Sequence, residues 1–185
     1  YSEKPDIGIF MDEWKSLYDS KSGERGLFNR ASAKKQVAKT GRRDVDHDFG
    51  TNPCSEIILR DREFCNLSEV VIRESDDLEA LKDKVRIATI LGTFQSTLTN
   101  FRYLSRKWRE NCQEERLLGV SLTGIMDNNL TNGKADKQGP AKDPSLIFIN
   151  TKKVLEELRE VAVETNKIWA EKIGIPPSVS VTCVK

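Results

Sequence analysis

The chain has 185 residues, with 30 Lys and Arg against 29 Asp and Glu, a formal net charge of +1, 37% hydrophobic residues and 32% charged ones. That composition describes a well-solvated globular protein of one domain, or one and a fraction. A charge balance this close to zero argues against nucleic-acid binding through a bulk positive field, and no apolar run approaches the ~20 residues a membrane helix needs. The N-terminal Tyr-Ser-Glu-Lys-Pro-Asp shows no charged segment leading into an apolar one, so no signal peptide is visible. The first residue is not Met, which reads as a processed chain or a piece cut from a longer one.

Residues 21–43 carry Lys21, Arg25, Arg30, Lys34, Lys35, Lys39, Arg42 and Arg43 against the single acid Glu24. This run reads first as a solvated helix face, and second as contact with phosphates or an acidic partner surface. From Asn66 to Ile72, the residues Leu67, Val70, Val71 and Ile72 predict a mostly buried strand. Asp76 then offers an N-cap with Glu79 three residues on. Leu78, Leu81, Val85, Ala88, Leu91, Phe94, Leu98, Phe101, Leu104 and Trp108 recur at steps of three and four, which predicts one long amphipathic helix whose stripe is core.

A second strand is predicted over Leu117–Met126, where Gly119 and Gly124 mark close approach of another backbone or a ligand. Residues 127–145 are polar, rich in Gly and Pro, and read as an exposed loop. Val154, Leu155, Leu158, Val161, Ala162, Thr165, Ile168 and Trp169 predict another amphipathic helix, with Gly174 as its C′ residue and Pro176-Pro177 beyond. Val179–Val184 reads as a closing strand. Strand, helix, strand, helix, strand implies parallel strands joined by right-handed crossovers, an α/β layer or part of an α/β barrel. Three parallel strands leave both sheet edges open, so the chain is expected to be incomplete on its own and to need further segments.

Cys54, Cys65, Cys112 and Cys183 form no CxxC and match no zinc spacing, so no metal site is expected. They read as reduced thiols of a cytoplasmic protein. His47, the single histidine, lies among Asp44, Asp46 and Asp48 and reads as a solvated surface residue.

The segment richest in chemistry is Gly50-Thr-Asn-Pro-Cys-Ser-Glu-Ile-Ile-Leu59, followed by Phe64-Cys-Asn-Leu-Ser-Glu-Val-Val71. If its backbone is extended, Asn52, Cys54 and Glu56 alternate around Pro53 and Ser55 and point to one side. An amide that orients a hydroxyl, a thiol that can be a nucleophile, radical carrier or redox partner, and a carboxylate that removes a proton would then share one surface. Cys65 adds a second thiol. The plainer reading is two structural cysteines beside a turn-forming Asn-Pro, and the residues alone leave both open.

Asn52-Pro-Cys-Ser-Glu56 resembles the finger-loop motif of ribonucleotide reductase large subunits, and Phe64–Val71 fits the same family. The runs Leu91–Thr99 and Glu115–Asp127 are similar to the adenosylcobalamin-dependent ribonucleoside-triphosphate reductases, as is Gly23–Arg30. The resemblance covers about Gly23 to Lys185, apart from residues 127–145. It implies part of a ten-stranded α/β barrel made of two halves, with a finger loop threaded through its centre. Residues 1–49 would then lead in from the first half, 50–65 form the finger loop, and 66–185 supply a βαβαβ part of the second half.

The implied roles are specific. Cys54 would carry the thiyl radical that removes the ribose 3′ hydrogen, Glu56 would take the 3′-hydroxyl proton, and Asn52 would hold a ribose hydroxyl. Cys65 would be one of two cysteines that reduce the 2′ position and become a disulfide, its partner lying in the first barrel half. Adenosylcobalamin is the implied cofactor. The implied partners are the ribonucleotide substrate, the remaining reductase segments and a dithiol reductant, C-terminal or external such as thioredoxin, with no membrane and no direct nucleic-acid binding. The isolated chain is expected to be inactive. The family's phosphate-binding turn would follow Lys185. Many relatives have Gly where this chain has Ser55, and serine is expected to be tolerated because it accepts the extended conformations of a loop. Cys112 and Cys183 receive no family role and read as packing or surface thiols. Two rivals stand beside this reading: a class I-like catalytic subunit that takes its radical from a partner protein, and a non-catalytic scaffold or binding module that kept the fold.

Overall fold

The computed structural model describes residues 3–23, 26–133 and 144–182. They fall into two compact units, Tyr1–Glu63 and Phe64–Lys185. The first holds α1 (Ile7–Ser20), α2 (Arg30–Ala38) and the strands β1 (Phe49–Thr51) and β2 (Ile58–Arg60). The second holds β3 (Asn66–Val71), α3 (Leu78–Gln95), α4 (Arg106–Glu115), β4 (Leu118–Thr123), α5 (Pro144–Ile173) and β5 (Val181–Thr182). The fold is mixed α/β, with small sheets.

In the second unit β3, β4 and β5 lie side by side in that order, both pairings parallel, with Asn66 opposite Leu118 and Leu118 opposite Val181. This is the parallel strand–helix–strand order that the sequence predicts. Alternation sets the faces of β3: Asn66 and Val70 are buried while Leu67, Glu69 and Val71 are exposed. Val70 and Ile72 join Val120 and Leu122 of β4, Leu81, Val85 and Ala88 of α3, and Leu158 and Ala162 of α5 in one core cluster. Both long helices therefore cover the same side of the sheet. Each fully buried aliphatic side chain there contributes about 1.5–3 kcal/mol.

The single helix predicted to run to Trp108 is in fact two. α3 stops at Gln95, and α4 begins after Ser105. The stripe does not persist as core: Leu91 is 62% exposed and Leu98 is 72% exposed. The last turns of α3 are rich in hydroxyl side chains that donate back to its own carbonyls, Thr89 to Val85, Thr93 to Thr89, Ser96 to Thr93 and Thr97 to Phe94, at 2.6–2.7 Å. Such bonds compete with the helical ladder. Phe101 and Trp108 pack instead on Phe64, with ring centroids at 5.2 and 6.3 Å.

The start of α3 also differs from expectation. Its N-cap is Asp77, which accepts from the Ala80 amide at 2.8 Å. Asp76 instead accepts from the Arg73 amide at 2.8 Å and from Lys84 Nζ at 2.5 Å. The Lys84 hydrogen bond first, and the Arg73 amide second, hold the Asp76 carboxyl below the ordinary carboxylate value. The strand predicted to reach Met126 ends at Thr123, where Gly124 turns the chain into a short 3-10 turn, Ile125–Asp127.

Gly124 has φ +78°, and a Cβ there would lie 2.4 Å from the Ile72 carbonyl oxygen. The predicted close backbone approach is therefore present at Gly124. Four residues on, buried Asn128 donates to the carbonyls of Arg73 and Asp76, both at 2.8 Å, and its Oδ1 accepts from the Leu130 amide. This one side chain ties the loop after β3 to the loop after β4. Buried Asn166 does similar work elsewhere, donating to Thr93 Oγ1 at 2.9 Å and accepting from the Ser178 amide at 2.8 Å. The end of α5 is as predicted: Gly174 has φ +71°, its amide reaches the Glu171 carbonyl, and the Ile175 amide reaches Ala170, a Schellman motif. Of the predicted loop at 127–145, residues 134–143 lie outside the described residues, as do Arg25 and Cys183.

In the first unit, α1 is capped by Asp6, whose Oδ1 accepts from the Gly8 amide at 2.8 Å, and none of its side chains is buried. Ile7, Met11, Trp14 and Tyr18 lie exposed along it. α2 is capped by Asn29 and buries Ala33 and Val37. Its Arg30, Lys34 and Lys35 are exposed, as a solvated face requires. Arg43, read as part of that charge run, is not solvated at all: it is a buried ion-pair partner of Glu63.

Candidate functional site at the hairpin tip

β1 and β2 pair antiparallel, with Phe49 opposite Arg60, Gly50 opposite Leu59 and Thr51 opposite Ile58. The residues between them form a tight turn that carries the Asn-Pro-Cys-Ser-Glu motif. The Ser55 amide donates to the Asn52 carbonyl at 3.0 Å, and the Asn52 amide donates to the Ile57 carbonyl at 3.3 Å. Asn52 Oδ1 accepts from the Ile57 amide at 3.0 Å, and Thr51 Oγ1 donates to the Ile57 carbonyl at 3.0 Å. These bonds replace the extended backbone that the alternation argument assumed. Asn52, Cys54 and Glu56 are gathered on one turn, but not as a same-side row of an extended strand. The reason is local: Asn-Pro starts a turn, and the Asn side chain bonds a backbone amide further along, as Asx residues do.

Within that turn, Cys54 is an exposed thiol, not disulfide-bonded. Glu56 is half-buried, with its Oε2 shielded from solvent. Asn52 has committed its side-chain carbonyl oxygen to the Ile57 amide, so the donor it keeps for another partner is its Nδ2 amide group. The fourth expected site residue, Cys65, belongs to the second unit. It is a half-buried thiol that immediately precedes β3, with its Sγ 4.0 Å from the Asn66 carbonyl. Cys112 is buried on α4, in keeping with a packing role. His47 is half-buried, edge-on to the Phe49 ring at 6.0 Å, with its Nε2 3.8 Å from Asp44 Oδ2.

Ser55 occupies the left-handed region at φ +64°. The expectation of an extended serine is therefore corrected, and a side chain at such a φ costs about 1 kcal/mol. Ser55→Gly should stabilise the chain by roughly 0.5 kcal/mol, net of the freedom glycine adds to the unfolded state. Urea melts of the two proteins, compared at equal m-value, measure the difference; a Ser55→Gly chain less stable than the parent would contradict the left-handed geometry.

Sequence reasoning missed the base of the hairpin. Arg43 Nη2 lies 3.1 Å from Glu63 Oε2, with the two side chains 3% and 0% exposed. Arg43 Nη1 donates to the Ile58 carbonyl at 2.7 Å, and Glu63 Oε2 also accepts from the Arg60 amide at 2.8 Å. The Arg43 guanidinium sits over the Phe49 ring, 4.7 Å from its centroid. Glu63 follows Arg60, Asp61 and Arg62 in a run of charged residues that reads as solvated, and nothing in its spacing from Arg43 announced a buried pair.

Comparison with known proteins gives the context of this turn. No family model and no solved structure matches the chain. Adenosylcobalamin-dependent ribonucleoside-triphosphate reductases do match it: those of Lactobacillus helveticus (strain DPC 4571), 30% identical, Lactobacillus acidophilus, 29% identical, and Lactobacillus leichmannii, 27% identical. Each alignment covers 89% of this chain. The chain is a homologue of these reductases. It spans about a quarter of their length, 24% in each of the three. The resemblance read from Asn52–Glu56 and the later motifs thus extends over nearly the whole chain, and the relatives' own names specify adenosylcobalamin dependence.

The described residues do not themselves fit a corrin. A cavity of about 450 Å³ in the second unit is lined by core aliphatics such as Val85, Val120, Leu122, Leu158 and Val181. Thr151, Lys152, Glu156, Arg159 and Thr182 complete its lining, but about 450 Å³ is far too small for a corrin with its side chains. Among the described residues, no helix is long and apolar enough to cross a membrane.

Proposed function

We propose that this chain is the finger-loop segment of a ribonucleotide reductase, acting in the cytoplasm within a ten-stranded α/β barrel that other segments complete. What supports the reading is a single observation: Asn52, Cys54 and Glu56 share one hairpin turn, with the thiol exposed and the carboxylate two residues on, in a chain homologous to such reductases over 89% of its length. The hairpin suits the task because backbone bonds hold the tip, so the reacting groups need little ordering when substrate arrives.

In this reading Cys54, oxidised to a thiyl radical, takes the hydrogen atom from ribose C3′. Glu56 accepts the 3′-hydroxyl proton, Asn52 Nδ2 donates to a ribose hydroxyl, and the 2′-hydroxyl takes a proton from one thiol of the reducing pair and leaves as water. Cys65 and a second thiol outside this chain supply two electrons and become a disulfide, after which Cys54 returns its hydrogen to C3′. A dithiol reductant such as thioredoxin resets the pair. Adenosylcobalamin, when bound by the remaining segments, would supply the radical that oxidises Cys54. The names of the relatives favour that source over a radical-generating partner protein. By itself the chain is expected to reduce no nucleotide.

The test uses the chain assembled with the remaining reductase segments, nucleotide, cofactor and dithiol. Cys65→Ser should still permit radical formation and 3′-hydrogen abstraction but not normal reduction at C2′. Electron paramagnetic resonance should therefore show substrate-dependent loss of radical without deoxynucleotide. Wild-type turnover by Cys65→Ser would remove that cysteine from the mechanism. An assembly with no reductase activity from the parent chain would favour the scaffold reading.

A further inference from the structure

We propose that the buried Arg43–Glu63 pair is a positioning device for Cys54 and Glu56, an inference that rests on the catalytic reading of the hairpin tip. The guanidinium touches both strands at once. It lies over Phe49, the first residue of β1, donates to the carbonyl of Ile58, the first residue of β2, and meets Glu63, whose Oε2 also receives the amide of Arg60, the last residue of β2. Phe49 and Arg60 are themselves register partners. Every residue of the catalytic turn lies between these contacts, so the clamp fixes the origin from which the turn projects.

The physical case for positioning is that stability alone gives no reason for such a pair. Two charges with side chains 3% and 0% exposed are costly to desolvate, and a well-packed apolar pair in their place is often as stable or more so. What an apolar pair does not supply is direction. The planar Arg fork and the carboxylate together make directional bonds to two carbonyl and amide groups of β2, and these set the register and twist of the strand that leads out of the turn. A sub-ångström shift there moves Glu56 relative to Cys54 without unfolding anything. In reactions that require a near-attack geometry, such a shift is felt in rate.

The test uses the complete 185-residue chain and, separately, the assembled reductase. The double variant Arg43→Met with Glu63→Leu keeps volume and removes the directional bonds. Its melting temperature should stay within a few degrees of the parent. Hydrogen exchange at the Ile57 and Ser55 amides should rise at least tenfold, while exchange at Val70 and Val120 in the parallel sheet stays unchanged. In the assembled enzyme kcat should fall tenfold or more, with KM for nucleotide within about twofold. Unchanged exchange at Ile57, or unchanged kcat, would overturn the proposal, as would a uniform rise in exchange with a lowered melting temperature. If the double variant does not fold, Glu63→Gln decides by the same amides, because it keeps shape and one acceptor while removing the charge: a local rise supports the clamp and no rise overturns it. Failure of the catalytic reading looks different, since activity surviving Cys54→Ser would refute that reading whatever the amides of the hairpin do.

Discussion

Cys54→Ser should reduce deoxynucleotide formation by the assembled reductase to below detection, the largest effect expected of any single change in the chain. The O–H bond of serine is much stronger than the S–H bond of cysteine, so a seryl radical is not formed at the potential that suffices for a thiyl. The hydroxyl otherwise fits: Cys54 is exposed at the turn, and the bonds that Thr51, Asn52, Ser55 and Ile57 make to hold the turn run through other groups. The fold should therefore survive, and unchanged circular dichroism in the inactive variant is part of the expected result. Glu56→Gln should be milder, a loss of about 10²–10⁴-fold in turnover, because it keeps the shape and removes only the proton acceptor. Steady-state assays of both variants beside the parent give the answer. Residual activity of Cys54→Ser near the wild-type rate would eliminate radical chemistry at this position.

The second large effect concerns stability. Gly124→Ala should destabilise the second unit by about 3 kcal/mol or more, well above the ordinary cost of a left-handed alanine. Two penalties coincide at that position: φ is +78°, and the new Cβ would fall 2.4 Å from the Ile72 carbonyl oxygen, a backbone atom that cannot swing aside. Either β4 moves from β3 or the turn that seats Asn128 is lost. Gly41→Ala is the control, with φ +61° and nothing within 4 Å of its Cβ position; it should cost only about 1 kcal/mol. Chemical denaturation of the three proteins measures both, and equal losses at the two glycines would show that the contact with Ile72 is not felt.

How much of this was legible in the sequence depended on whether the cause was local. A short apolar run placed β3, though Leu67 and Val71 proved exposed where a mostly buried strand was expected, and the glycine after Ile173 together with its following prolines placed the end of α5. The parallel order of β3, β4 and β5 followed from alternation of element types. The break between α3 and α4 was less legible because apolar spacing continued through it, past the hydroxyls of Thr89, Thr93, Ser96 and Thr97 that bond their own helix near its end. At the site, residue types and spacing singled out Asn52, Cys54 and Glu56 as candidates and left a structural reading open, while the extended geometry assumed for them was wrong. An Asn side chain that captures the Ile57 amide, and a serine at positive φ, are tertiary choices of a short turn. Arg43 and Glu63 were invisible for a different reason: a buried pair separated by twenty positions has no periodic signature.

The exposed flank of α1 bears on thermodynamics outside the catalytic turn. A helix of 14 residues with no buried side chain is held by local contacts such as its Asp6 cap and the Phe10–Trp14 stacking, not by a buried face. Isolated helices of that length are marginal in water, since the entropic cost of nucleation is spread over few bonds. Its persistence therefore tracks whatever covers Ile7, Met11, Trp14 and Tyr18: shielding that flank and ordering the backbone become one coupled equilibrium. Any association made through α1 then has part of its enthalpy cancelled by conformational entropy, and its temperature dependence reports helix formation as much as contact.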